Sequence, residues 1–224
     1  MLRVGLTGGL GSGKSTAARL FEGLGARVLY SDEMGRAMMQ PGEAVYQAIV
    51  ERFGSGVVLA DGALDRVELG RLAFAEGRVE ELNEIVHPAV LARQVELIDG
   101  LSVQEPDAVV MVESALLLET KHGGEEGWRT RFDRIVLVTA PEDLRVKRYV
   151  SRADAGAQGE RLVALEEEAR RRMAMQMTDE AKSSLADYVL VNAGSLQELE
   201  WQVDRLWPIL VEAATRGGWG ERIG

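Results

Sequence analysis

Eight residues near the N-terminus, Gly8-Gly9-Leu10-Gly11-Ser12-Gly13-Lys14-Ser15, constrain this chain more than any others. They fit the spacing G-x-x-x-x-G-K-[ST], and Thr16 follows. Glycines at these places let the backbone turn its N–H groups inward, forming an anion-binding nest at the start of a helix. Leu2–Thr7 reads as a strand before the loop, and Ala17, Leu20, Phe21 and Leu24 form one helical stripe after it. A chance match in a chain this long arises on the order of 1% of the time, and the strand–loop–helix context lowers that further. The reading is a nucleoside triphosphate site with Mg²⁺. Gly11, Ser12, Gly13, Lys14, Ser15 and Thr16 cradle the phosphates, Lys14 supplies a point charge to the β- and γ-phosphates, and Ser15 is the metal ligand.

The rest of the chain alternates short apolar runs with helical patterns, the sign of an α/β protein with a mainly parallel sheet. Strands are predicted at 2–7, 27–30, 108–113, 134–139 and 188–191, each rich in Val, Leu or Ile. Between the second and third lies a helical stretch with predicted helices at 43–53, 65–75, 79–86 and 89–99; only 57–59 hints at a strand there. A last helix is expected over 195–214, with Leu196, Leu199, Val203, Leu206 and Leu210 as its stripe. At 224 residues the chain is about one and a half domains. The expected fold is a three-layer P-loop NTPase with a five-stranded parallel sheet, a helical substrate-binding insertion and a lid. The expected boundaries are a nucleotide-binding core at 1–34, 104–144 and 186–216, the insertion at 35–103, a lid region at 145–185 and a frayed tail at 217–224.

Charge and composition narrow the function classes. A net charge of -10 argues against long nucleic acids as partners. The absence of Cys excludes a disulfide framework, a thiolate zinc site and a Cys nucleophile, and two histidines, His87 and His122, make a His-rich metal site improbable. No apolar run is long enough to cross a bilayer, and no leader precedes the first strand, so the chain reads as cytoplasmic; the sequence leaves its oligomeric state open, with a monomer favoured. Neither asparagine, Asn83 or Asn192, is followed by Lys, so no N-K-x-D element for guanine is present. A small phosphotransferase is the class that remains.

Three further features concern the reaction. Asp32 follows the second strand, at the carboxyl edge where ligands of open α/β sheets bind, and could orient an acceptor hydroxyl and take its proton late; a helix N-cap explains it equally well. Glu113 ends the run Val109-Val110-Met111-Val112, where a carboxylate can hold Mg²⁺ through water or contact the acceptor; the alternative is a strand-end acid facing solvent. Residues 145–172 carry eight basic and five acidic side chains, a local +3. Arg145, Arg148 and Arg152 share a helix face there, and an Ala- and Gly-rich linker at 153–159 suits a lid. Arg148 and Arg152 are read as phosphate contacts, while Lys147, Arg161 and Arg170 fit a solvated face laced with ion pairs. Met173, Met175 and Met177 are read as packing residues. His87-Pro88 is placed at a junction between two helices, where Pro suits a first turn.

These residues together resemble the dephospho-coenzyme A kinases. The resemblance runs from Leu6–Thr16 through Asp32, Pro41-Gly42, Phe53-Gly54, Asp61-Gly62-Ala63-Leu64-Asp65-Arg66 and Ile85-Val86-His87-Pro88. It continues through Leu116-Leu117-Leu118-Glu119, Arg148, Arg152, Gln176-Met177 and Asn192-Ala193-Gly194-Ser195-Leu196, covering roughly 3–208. It implies ATP-dependent phosphorylation of the ribose 3′-hydroxyl of dephospho-coenzyme A, the last step of coenzyme A synthesis. It also implies that Asp32, Lys14 and Arg148 are catalytic, and that Arg152, Asn192 and Gly194 join the loop around the nucleotide. Asp32, Arg66, His87 and Glu113 would face the substrate. Alternatives on the same scaffold are a nucleoside or other small-metabolite kinase, or a non-catalytic ATP-binding module. The chain departs from the family pattern in having Tyr30-Ser31-Asp32 for a D-A-D-like element and Glu113 where a shorter acid is usual. It also lacks the usual proline at Ala115, and its stretches 120–132 and 153–169 are longer.

Overall fold

The computed structural model describes residues 1–119 and 127–216. The tail, and residues 120–126 of the longer stretch at 120–132, lie outside them. The described chain forms two compact units, Met1–Leu29 with Leu101–Gly224 and Tyr30–Gly100.

The first unit is built on a sheet with strand order β2-β3-β1-β4-β5. The strands are β1 (Leu2–Thr7), β2 (Arg27–Tyr30), β3 (Val109–Glu113), β4 (Arg134–Thr139) and β5 (Tyr188–Val191). All five match the predicted runs to within a residue. The pairs β1–β3, β1–β4 and β4–β5 are parallel, with Leu6 opposite Glu113 and Leu6 opposite Val136. Burial explains the composition. Every residue of β3 is buried, as are the middle four of β4, because helices cover both faces. Helix α1 (Lys14–Leu24) buries Ala17, Ala18 and Phe21. Phe21 meets Trp207 of the last helix at a ring separation of 6.4 Å.

That last helix, Leu196–Thr215, opens with a capping box in which Ser195 and Glu198 satisfy each other's backbone N–H groups. Its buried stripe is Leu199, Val203, Leu206, Leu210 and Ala214. Leu196, expected in the stripe, stands half exposed at the first helical position. Gln202 lies along β5 at the sheet edge, accepting from the Val191 N–H and donating to the Val191 carbonyl, at 2.8 and 2.9 Å. A side-chain amide thus occupies backbone groups that an edge strand would otherwise present to another chain.

The second unit is helical. Helix α2 (Ser31–Met38) and α3 (Ala44–Phe53) are followed by a 3-10 turn at Ser55–Val57, α4 (Arg66–Gly70), a π-helical turn at Arg71–Ala75, and α5 (Val79–Gln104). The faint strand near 57–59 reduces to a single bridge, Val58 with Leu64. The two helices expected at 79–86 and 89–99 are one, with Pro88 inside it. Proline removes one hydrogen bond, to the Glu84 carbonyl, but packing holds the helix through it. Leu82, Ile85, Val86 and Ala89 pack on a core of Val45, Ile49, Val57, Leu64 and Leu69. His87-Pro88 therefore lies within a helix and not at a junction.

The D-G-A-L-D-R run is a turn and a cap. Asp61 accepts from the Ala63 N–H, the Tyr46 hydroxyl donates to the Gly62 carbonyl, and Asp65 caps α4 by accepting from Val67 and Glu68.

Back in the first unit, β3 leads to the short helix α6 (Trp128–Arg131). After β4, α7 (Glu142–Ala153) and α8 (Gly159–Ala174) form a hairpin, followed by α9 (Asp179–Ser183); the last helix is α10. Val146, Val150, Leu165 and Ala169 are the buried centre of the hairpin, and Met173 packs against them. Met175, read as packing, is 71% exposed.

Candidate active site

The switch point of this strand order lies beside β1, where neighbouring connections depart to opposite faces and leave a crevice at the strand ends. Thr7 ends β1, and the phosphate loop runs from it into α1. The loop turns through Gly11 at φ +73° and Gly13 at φ +92°, conformations that an L side chain pays to adopt. Gly13 stands at the helix N-cap, so the free N–H groups of the first turn open toward the crevice side of the loop.

Because Leu6 pairs with Glu113, the end of β3 falls beside the loop. Glu113 is buried at 3% exposure. Its Oε1 lies 3.3 Å from Lys14 Nζ and accepts from Ser15 Oγ at 3.2 Å. Lys14, Ser15 and Glu113 are therefore one cluster, and Glu113 does not face solvent. The cluster offers hydroxyl and carboxylate oxygen and no sulfur or imidazole. One carboxylate and one hydroxyl, completed by water and substrate phosphates, is the donor set that suits Mg²⁺. No group of three or more His, Cys, Asp or Glu able to hold a metal by protein ligands alone occurs among the described residues. A cation here would complete its coordination with water and substrate oxygens.

A second cluster closes the other side of the loop. The Arg148 guanidinium donates to the carbonyls of Gly11 and Ser12, both at 3.4 Å, and to the backbone and side-chain oxygens of Asn192, at 3.1 and 3.2 Å. Asn192 in turn donates from Nδ2 to the Ser12 carbonyl at 2.8 Å. Ser12 is fully buried, and its hydroxyl has no hydrogen-bond partner among the described residues. Thr16 is half-buried, and its N–H bonds the Gly13 carbonyl. Arg148 and Asn192 thus meet the loop through its carbonyls, and Arg148 is held there by side-chain and backbone acceptors.

The remaining candidates are spread out. Arg152 is exposed near the end of α7 without an ion pair among the described residues, and Gly194 is exposed just before α10. Within the second unit, Asp32 is exposed in the first turn of α2. The N-cap position of that helix is Tyr30, so Asp32 is not its N-cap. Arg66 is exposed and lines a small cleft with Met39, Gln40, Pro41, Ala63, Leu64 and Leu69. His87 is half-buried in α5 and does not line that cleft. In the hairpin, Arg161 pairs with Asp154 and Arg170 with Glu142 and Glu166, at 3.7–3.8 Å. Glu168 accepts from Arg172 and then Arg171, which holds its carboxyl below the usual range.

Sequence reasoning missed a buried charge. Lys182 of α9 has no exposed surface and lies 2.8 Å from Glu119 Oε1, in the geometry of an ion pair rather than an aligned hydrogen bond. Its Nζ also reaches the Ala115 carbonyl at 3.4 Å, an acceptor shared with the Thr7 hydroxyl. The turn after β3 is therefore pinned to α9 on one side and to β1 on the other. Nothing in a lone lysine between acids marks it for burial.

Comparison with known proteins identifies the family. The dephospho-CoA kinase family model matches residues 2–198. A dephospho-CoA kinase of Streptomyces avermitilis is 39% identical over 220 residues, covering 97% of this chain and 98% of that one. One of Methylococcus capsulatus is 39% identical over 207 residues, covering 92% and 95%. A crystal structure from Thermus thermophilus superposes with a TM-score of 0.70 at 33% identity, covering 93% of this chain and 97% of that one. With a matching family model over nearly the whole chain and a phosphate loop backed by Glu113, this chain belongs to the dephospho-CoA kinase family.

Proposed function

We propose that the chain transfers the γ-phosphoryl group of ATP to the ribose 3′-hydroxyl of dephospho-coenzyme A, giving coenzyme A and ADP in the last step of coenzyme A synthesis. The observation that carries the reading is the Lys14–Ser15–Glu113 cluster in a chain of this family. The transferred group passes through a loose transition state, so the protein's task is positioning and charge compensation. Backbone N–H groups of Gly11, Gly13, Lys14 and Ser15 hold the phosphates, those of Ser12 and Thr16 being bonded to the Gly9 and Gly13 carbonyls, and Lys14 offsets charge gathering on the β–γ bridging oxygen. Ser15 and Glu113 would hold Mg²⁺, which supplies further charge compensation between the phosphates. The commitment of Glu113 to Lys14 and Ser15 favours that role over contact with the acceptor.

Asp32 orients the 3′-hydroxyl and takes its proton as the new P–O bond forms and the bond to ADP breaks. No strong base is needed, because proton transfer comes late. Arg148 and Asn192 shape the nucleotide side of the loop with Gly194, Arg152 approaches from the lid region at 145–185, and Arg66 and His87 recognise dephospho-coenzyme A from the insertion at 35–103. No described helix is long and apolar enough to cross a membrane, and the reading places the chain in the cytoplasm, where a single copy carries all the groups named.

A panel of acceptor alcohols with ATP and Mg²⁺, read by ADP release, tests this. Dephospho-coenzyme A should stimulate release strongly and nucleosides should not; no stimulation by dephospho-coenzyme A refutes the assignment. Asp32→Asn should lower kcat by roughly a thousandfold with ATP affinity nearly intact. Turnover unchanged in that variant removes Asp32 from the mechanism.

A further inference from the structure

The outer side of the phosphate loop is gripped by three side chains to which the mechanism above gives no role. Arg145 of α7 donates from Nε to the Leu10 carbonyl at 2.9 Å. Its Nη1 meets Asp179 Oδ2 of α9 at 3.1 Å, with the two side chains 11% and 22% exposed. From the segment between α8 and α9, Gln176 Oε1 accepts from the Leu10 N–H at 2.9 Å. Both polar groups of the Leu10 peptide are therefore taken by side chains more than a hundred positions away in sequence. The flanking glycines fit the same contact. A Cβ on Gly9 would collide with the Arg145 guanidinium, and one on Gly11 with the Arg145 backbone carbonyl. Gly9-Leu10-Gly11 lies flat against α7 at this one residue.

We propose that Arg145, Asp179 and Gln176 are positioning residues that preset the loop for nucleotide by fixing the Leu10 peptide from outside. A loop this rich in glycine loses much conformational freedom when it orders around phosphate. Clamping Leu10 moves that cost from binding to folding, which is how a preorganised site gains affinity. The clamp also selects which donors face the ligand. The Leu10 N–H is committed to Gln176 and the Ser12 N–H to the Gly9 carbonyl, so the phosphate-facing donors begin at Gly11 and resume at Gly13. Asp179 neutralises Arg145 and holds its fork in the plane that reaches Leu10, so this arginine works through the loop and not on the phosphates. The inference rests on the nucleotide reading of the loop and not on the identity of the acceptor.

The test uses the full chain with Gln176→Leu, Asp179→Asn, Arg145→Lys and Asp179→Glu. ADP affinity is measured by calorimetry without acceptor, and KM for each substrate and kcat are measured with ATP and dephospho-coenzyme A. The first three variants should weaken ADP about five- to tenfold and raise KM for ATP alike, the loss expected when a hydrogen bond within a buried network goes. KM for dephospho-coenzyme A should stay put, and kcat should stay within about twofold. Lysine keeps the charge of Arg145 but cannot serve Leu10 and Asp179 together, so Arg145→Lys should not bind like the parent. Asp179→Glu, which keeps the carboxylate, should recover most of the affinity.

Parent-like ADP affinity in Arg145→Lys overturns the proposal. So does a parallel rise in both KM values that tracks a fall in the melting temperature, the mark of a merely structural role. If Asp179→Asn melts below the assay temperature, Gln176→Leu decides the matter alone. A parent that binds ADP but does not phosphorylate dephospho-coenzyme A would sink the proposed function while leaving the clamp open to the ADP measurement.

Discussion

Replacing Lys182 with Met removes a charge that the fold has buried completely, and its cost can be worked from the contacts. Methionine matches the length and most of the volume of the aliphatic stem, so the cavity contribution is small. What remains is Glu119, 18% exposed, stripped of the ammonium 2.8 Å away, together with an Ala115 carbonyl that loses one of two donors. Breaking a buried pair by deleting one partner costs about 3–5 kcal/mol. The residual exposure of Glu119 lets water or protonation relieve part of that, which places the expectation near 3 kcal/mol. In a chain this size that is a drop of roughly 6–12 °C in melting temperature.

The double variant Lys182→Met/Glu119→Leu leaves no orphaned charge and should recover to within about 1 kcal/mol of the parent, about 2 kcal/mol more stable than Lys182→Met alone. Urea unfolding at 25 °C followed by circular dichroism measures the parent, Lys182→Met, Glu119→Leu and the double variant. A loss under about 0.5 kcal/mol for the single variant, or a double variant no more stable than the sum of the two singles, would refute the reasoning. Either result would mean that the pair is hydrated or that the surroundings repack freely.

Other perturbations separate the parts of the site from the parts of the scaffold. Glu113→Gln removes the negative charge shared by Lys14 and Ser15. It should lower kcat about a hundredfold and raise the Mg²⁺ concentration needed for half-maximal activity about tenfold, read by metal titration; an unchanged metal dependence would remove Glu113 from the metal side. Gly13→Ala forces an L side chain to φ +92° and drives its Cβ into the Asn192 amide. It should cost about 1–3 kcal/mol in urea unfolding and abolish measurable ADP binding in calorimetry. Asp65→Ala removes a cap that accepts from two backbone N–H groups in the helical unit, for a loss of about 1 kcal/mol in unfolding free energy by urea titration, with ADP binding unchanged.

Much of the first unit is legible along the chain. Strands buried on both faces announce themselves as short Val-, Ile- and Leu-rich runs, and β1, β2, β4 and β5 end where those runs end. The phosphate loop is local chemistry: its glycines, Lys14 and Ser15 are neighbours in sequence, so their spacing already describes the nest. The long helix through Pro88 was not legible. A proline reads as a boundary, and only the packed face of Leu82, Ile85, Val86 and Ala89 shows why the helix continues past it. Arg145 was visible as one of three arginines on a helix face, yet periodicity cannot say which would meet the loop and which, like Arg152, would stay in solvent.

The sequence by itself determined that a strand would deliver a glycine-rich loop to a helix N-terminus, because every interaction needed for that lies within a few residues. Tertiary structure decided what stands around the loop. The parallel register of β1 with β3 puts Glu113 beside Ser15, α7 brings Arg145 onto Leu10 with Asp179 of α9 paired to it, and α9 turns Lys182 inward to Glu119. These are pairings between charged and polar groups separated by 34 to 135 residues along the chain. Their partners are set by which strands adjoin and which helix faces are covered, and no local preference encodes that choice.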